Sequence, residues 1–200
     1  MSRVPFEFLG RARTLRAEIA AADTIALAAA ERVAAPLCAR LRRRPDRDQR
    51  PGMLIDAARG WRTTIPATGR LDLTIDLVGK RLRIDETRLG PARFRCDEWG
   101  EVGLAISNWF LDVAPGHVRV DHLPLAYLSL HALARRIERG GPAVADDLEQ
   151  LGQFCAAPGE PGGMFQVPAA EGWWVGAAAD VDVGGGETVR MLVVRTFLVG

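Results

Sequence analysis

Lysine is almost absent from this chain: of 26 basic residues only Lys80 is a lysine, and the others are arginine. With alanine so abundant, this reflects coding bias as much as guanidinium chemistry, so arginine richness alone assigns no polyanion partner. Cysteine is scarce too. Cys38, Cys96 and Cys155 are an odd number at wide spacing, which excludes a secreted disulfide scaffold and a CxxC metal or redox site. Buried thiols in a reducing, cytoplasmic compartment are the expectation. A long apolar run is also missing: Ala20 to Leu37 is built mostly of alanine and carries Asp23, Glu31, Arg32 and Pro36, so no membrane span is expected. Met1 to Leu15 has arginines but no continuous apolar stretch followed by a small-residue cleavage site, and it does not read as a secretory signal.

The glycine runs Gly140-Gly141, Gly162-Gly163 and Gly184-Gly185-Gly186 lack the GxGxxG or GxxxxGK[ST] spacing that aims backbone N–H groups at a phosphate. No GxSxG elbow, HExxH helix, kinase signature, internal repeat or low-complexity segment is found. Hydride transfer, ATP hydrolysis and serine hydrolysis are therefore unsupported, and no cofactor is expected. Asp121, His122 and His131 are the nearest approach to a metal set, but their spacing matches no zinc or iron signature. No metal is expected.

What is present fits a globular protein: 200 residues, 48% hydrophobic and 26% charged, with a net charge of +1. That small net charge hides an asymmetry, because residues 1 to 100 hold 20 basic and 13 acidic side chains and residues 101 to 200 hold 6 and 12. A basic N-terminal face is possible without the whole protein being a polyanion binder. Within it, Arg42, Arg43 and Arg44 head an arginine cluster that runs to Arg50. The cluster reads either as a nucleic-acid patch acting through counterion release or as a solvated helix end favoured by the macrodipole.

The pattern predicts an α+β fold with an N-terminal helical segment, residues 1–50, and an α+β domain, residues 53–200. Phe6 to about Arg44 reads as helix from its Ala, Leu, Arg and Glu content. Pro36 is expected to kink or divide that helix, with Asp23 as a possible cap for a second piece. Pro45 to Gly52 is polar and proline-bounded, and reads as a linker or long loop. Leu71 to Leu77 and Arg81 to Asp85 alternate with period two around a Val78-Gly79-Lys80 turn, a hairpin signal. Strands are also expected at Arg93 to Cys96, Val102 to Asp112 and His117 to Val120. Ser129 opens a helix through Arg139, closed by Gly140-Gly141, and Pro142 begins another through about Cys155. Trp173 to Val183 and Val189 to Val199 flank a triple-glycine turn and form the clearest hairpin.

The helix from Ser129 to Arg139 concentrates the candidate chemistry. Leu130, Leu133, Ala134 and Ile137 form its apolar stripe, while His131, Arg135 and Glu138 or Arg139 share a neighbouring face. Histidine can take and give a proton near neutral pH, and arginine offers a planar fork for a phosphate. The alternative is that His131 packs at a helix start while the arginines form a solvated face with Glu138 as ion-pair partner. Trp173 and Trp174 are adjacent in a strand and must point to opposite faces. One belongs to the core; the other can stack on a base, and Trp174 is the candidate for that role.

The sequence Ser129-x-His131-Ala132-x-x-Arg135-x-x-x-Arg139, followed by strands of which the last bears Thr196, resembles the metal-independent bacterial ribonucleases and toxin nucleases of the barnase, EndoU and colicin type. The resemblance covers residues 127 to 200 at most. It implies cleavage of RNA by its own 2′-OH, with His131 moving a proton, Arg135 and Arg139 holding the phosphate and Thr196 donating a hydrogen bond, without a metal. RNA would then be the partner. The rival expectation, from a different class, is a non-catalytic interaction or regulatory protein that uses its helical arm and sheet as a binding surface for a protein partner or for self-association.

Overall fold

The structure, a computed structural model, describes residues 4–92, 102–140, 144–157, 162–184 and 186–199. It is an α+β fold. Helix α1 (Phe6–Arg42) and helix α2 (Gln49–Thr64) precede four strands, β1 (Arg70–Val78), β2 (Arg81–Pro91), β3 (Leu104–Ala114) and β4 (His117–Leu128). Helices α3 (Leu130–Arg139) and α4 (Val144–Ala156) follow, and then β5 (Met164–Ala169), β6 (Gly172–Gly184) and β7 (Glu187–Val199). All seven strands form one sheet in the order β1-β2-β3-β4-β7-β6-β5. Neighbours are antiparallel except β4 and β7, which are parallel.

Three of the tight hairpins, β1–β2, β3–β4 and β6–β7, follow from glycine. Gly79, Gly116 and Gly186 sit at φ of 61°, 80° and 82°, where a side chain would be strained. The expected pairing of Trp173–Val183 with Val189–Val199 is present as β6 and β7, with Val181 opposite Val189 and Trp173 opposite Leu198. The strand expected at His117 to Val120 runs on to Leu128. It passes Pro124 because the register shifts there: Ile106 faces Ala126 and Ser107 faces Pro124, leaving Leu125 as the extra residue. The strand expected at Arg93 to Cys96 lies outside the described residues.

Two expectations need correction, and one strand was not anticipated. α1 is a single helix of 37 residues, with Pro36 inside it and Asp23 in mid-helix rather than at a cap. Pro36 is exposed, and buried Ala34, Leu37 and Leu41 fasten the helix on both sides of it, so the lost N–H bond does not end the helix. Half of the expected linker is helix: α2 already begins at Gln49. Pro51 sits in its first turn, where the missing N–H would have had no partner anyway. Finally, β5 occupies a stretch left without assignment; as the edge strand it tolerates Pro168.

Hydrophobic burial divides into clusters that show how α1 is placed. Ala12 and Ile19 from its first half join Leu104, Ile106, Leu128, Leu133, Trp174 and Phe197. Ala26, Ala29, Ala34, Leu37 and Leu41 from its second half join Trp61 of α2 with Leu82, Ile84, Trp109 and Leu111 of the sheet. The sheet alternation puts Ile106 and Trp109 on opposite faces. α1 therefore packs into clusters on both faces of the sheet.

Cys155 on α4 is buried in the first cluster, and desolvation pushes its thiol up to about 12 from 9.0. A raised acid pKa means that the folded state holds its proton longer than the unfolded state. Its contribution is thus whole below about pH 9 and is lost as pH rises towards 12. Native protein at pH 8 is expected to resist alkylation at Cys155 until it unfolds, while Cys38, only partly buried, reacts earlier. Rapid native labelling of Cys155 would contradict this placement.

Candidate functional site

Ser129 caps α3: its Oγ accepts the Ala132 N–H at 3.1 Å, with φ and ψ of −68° and 146°. It also ties the helix to β7, since its backbone N–H donates to the Val194 carbonyl at 3.1 Å and its hydroxyl to the Arg195 carbonyl at 3.3 Å. α3 then runs between α1 and β7, covered on both sides. This covering decides what its cations can do.

Arg135 is 5% exposed and donates to Glu138 at 2.7 Å. Arg136, which the sequence did not single out, is fully buried, donates to Asp147 of α4, and lies 5.2 Å over the Phe197 ring. Arg139 donates to the Phe197 carbonyl. Arg136 and Arg139 thus tie α3 to α4 and β7, while Arg135 is paired within the helix. His131 is half-buried in the first turn.

Thr196 is not brought to this helix. Phe197 turns its ring to Arg136 and Trp174, so by strand alternation Thr196, paired with Val175, faces the opposite side of the sheet. The set expected to surround one cleft is split across two faces. Trp174 needs the same correction: it is fully buried, stacks edge-on against Phe197 at 5.1 Å, and donates to the Asp147 carbonyl. A base cannot reach it. The exposed partner is Trp173, at 42%. Arg42, Arg43 and Arg44 are exposed at the end of α1, and Arg44 leaves the helix in the left-handed region at φ 52°.

A different constellation is assembled on the other face. Glu86 of β2, fully buried, accepts from Trp61 Nε1 at 2.6 Å, from Arg70 Nε at 2.9 Å and from Arg88 Nη1. Arg88, also fully buried, further donates to the carbonyls of Pro66 at 2.8 Å and Thr68 at 2.7 Å. Its guanidinium lies 5.2 Å from the Trp109 ring, which in turn meets His122 edge-on at 5.3 Å. Trp109 and His122 are direct cross-strand partners on β3 and β4.

Asp23 approaches from α1. A Cβ built on Gly90 would fall 2.7 to 3.1 Å from the Asp23 carboxyl atoms, so only glycine at 90 lets that carboxylate lie against β2. Asp23, Arg88, Gly90, Ser107, Trp109 and His122 line a cavity of about 170 Å³. Two of these lining residues bury a donor without a protein partner, Arg88 its Nε and Trp109 its Nε1.

The sequence reading passed over this set. The sequence groups His122 with Asp121 and His131; the Asp121 carboxyl is held below its ordinary range by the Arg119 hydrogen bond and then by the His122 backbone N–H. Among the described residues no group of three or more His, Cys, Asp or Glu is placed to hold a metal ion. No described helix is long and apolar enough to cross a membrane. No protein-family model, no curated protein and no solved structure matches this chain.

Proposed function

We propose that this protein is a ligand-binding module rather than a phosphodiester-cleaving enzyme, and that a small molecule enters the cavity between α1 and strands β2 to β4 through an oxygen acceptor. The carrying observation is that two residues lining one cavity, Arg88 and Trp109, each bury a donor, Nε and Nε1, that has no protein partner. Leaving a buried donor unpaired costs about 1–3 kcal/mol, and a bound carboxylate or comparable acceptor recovers that cost at both positions. By contrast, the α3 arginines support no phosphate clamp, since Arg135 is buried and paired with Glu138 while Arg139 is held on the Phe197 carbonyl.

The test is thermal unfolding with sodium acetate or propionate against sodium chloride at equal ionic strength. At a tenfold excess over Kd the ligand adds about 1.4 kcal/mol, or roughly 3–5 °C at this size. Trp109→Phe, which keeps the ring and removes the donor, is expected to abolish most of the shift. A carboxylate effect equal to that of chloride would reject the reading. Cleavage of labelled RNA in EDTA that disappears with His131→Ala would reject it in favour of the nuclease.

A further inference from the structure

The corner where α1 turns into α2 concentrates positive charge. Arg40, Arg42, Arg43, Arg44, Arg47 and Arg50 lie within one short stretch whose only carboxylates are Asp46 and Asp48. Arg50 is half-buried and the other five are exposed. Among the described residues none of the six is held in an ion pair. Because they occupy the end of α1, the connection and the start of α2, they share one corner of the molecule whatever rotamers they adopt.

A basic helix end accounts for part of this cluster. Arg40 and Arg42, in the last turn of α1, complement the negative end of its macrodipole. Arg44 and Arg50 stand against local preference. Arg44 follows the C-cap Arg43 at φ 52°, a position and conformation that favour glycine because a Cβ is strained there. Among the described residues it is the one non-glycine at positive φ. Arg50 lies in the first turn of α2, which holds no acidic residue and whose N-cap Asp48 makes no side-chain cap bond. Its charge therefore adds to the positive end of that macrodipole. Stability alone would place glycine at 44 and an acid at 50, and cations kept at such positions point to a ligand of opposite charge.

We propose that this corner binds the phosphate backbone of a nucleic-acid duplex without reading its sequence. The identity of the cations as arginine carries no weight in this; their placement does. Guanidinium groups donate to phosphate oxygens, and several acting together release condensed counterions. Residues 40–52 contain no aromatic side chain, so they offer no platform on which unpaired bases could stack. They also expose no large apolar side chain of the kind that an interfacial helix buries in a lipid surface. The corner shares no residue with the cavity between α1 and strands β2 to β4.

The experiment titrates a fluorescein-labelled DNA duplex with the full chain and follows anisotropy as salt is raised. A Kd on the order of 10 µM at about 50 mM salt is expected, with log K falling against log salt at a slope of about −3 to −5. Replacing Arg42, Arg43 and Arg47 together by glutamine should flatten that slope by about 2 to 3. Arg44→Gly and Arg50→Glu separate binding from stability. Each should weaken duplex binding about threefold or more while raising Tm by roughly 1–3 °C, because glycine suits the left-handed position and an acid suits the start of α2. Circular dichroism checks that the variants fold. A gain in Tm with unchanged duplex affinity would overturn the proposal, as would no binding at the lowest salt or a slope that the triple substitution leaves alone. Vesicles of phosphatidylserine and phosphatidylcholine supply the rival anionic surface, and tighter binding to them than to the duplex at equal salt would overturn it as well.

Discussion

Asp147→Ala is expected to lower stability by about 3–5 kcal/mol, the cost of leaving one member of a buried ion pair without its partner. Asp147 and Arg136 are 1% and 0% exposed at the side chain, and Asp147 also accepts the Ala170 N–H at 2.8 Å. Removing the carboxylate strands a guanidinium that already has Nη1 and Nη2 without protein partners. It also loosens α4 from the turn between β5 and β6. At about 2–4 °C per kcal/mol for a chain of this size, Tm should fall by roughly 10 °C. Chemical denaturation gives the free energy, and a loss below about 1 kcal/mol would show that the pair is solvated rather than buried. Replacing Arg136 by methionine in the Asp147→Ala background should recover part of the loss, because the stranded charge is then gone. No recovery would point to the Ala170 contact instead.

Glu86→Gln should have an effect of the same order, about 3–5 kcal/mol, with a functional signature in addition. Glu86 is the hub on which Trp61 of α2, Arg70 of β1 and Arg88 of β2 converge. Glutamine retains one acceptor oxygen but turns an NH2 group towards donors, so at least one of the three contacts becomes donor against donor. Arg88 then loses the partner that holds its guanidinium beside the Trp109 ring, and carboxylate binding in the cavity should disappear together with the stability. A Glu86→Gln protein that unfolds at the wild-type midpoint would remove the hub from the account. One that loses stability yet binds propionate normally would separate the network from the site.

Legibility in the sequence followed the range of the interactions. The hairpins were readable because alternation and a glycine at positive φ act over a few residues, as at Gly79 between Leu77 and Arg81. The cap at Ser129 was readable for the same reason. The α1–α2 junction was misread because Pro45, Pro51 and Gly52 signal a loop locally. Burial of Met53, Leu54, Ala57 and Trp61 against α1 and the sheet makes that stretch a helix. The α3 motif was legible as a helix but not as a site, since helical spacing shows which residues share a face and not what covers that face.

The candidate cavity had no sequence signature at all. Asp23, Arg88, Trp109 and His122 come from α1 and three strands, 99 positions apart at the extremes, and no spacing rule joins them. Cross-strand register brings Trp109 to His122, a buried carboxylate at Glu86 turns Arg88 into place, and the missing side chain of Gly90 admits Asp23. Composition and periodicity alone determined an α+β chain without an apolar helix long enough to cross a membrane, the β1–β2 and β6–β7 hairpins and the extent of α3, because those depend on local propensity and one-sided burial. Which cations are buried in ion pairs, which tryptophan meets water, and which buried donors lack a protein partner were decided only by packing. Desolvation and pairing depend on neighbours that the chain order does not reveal.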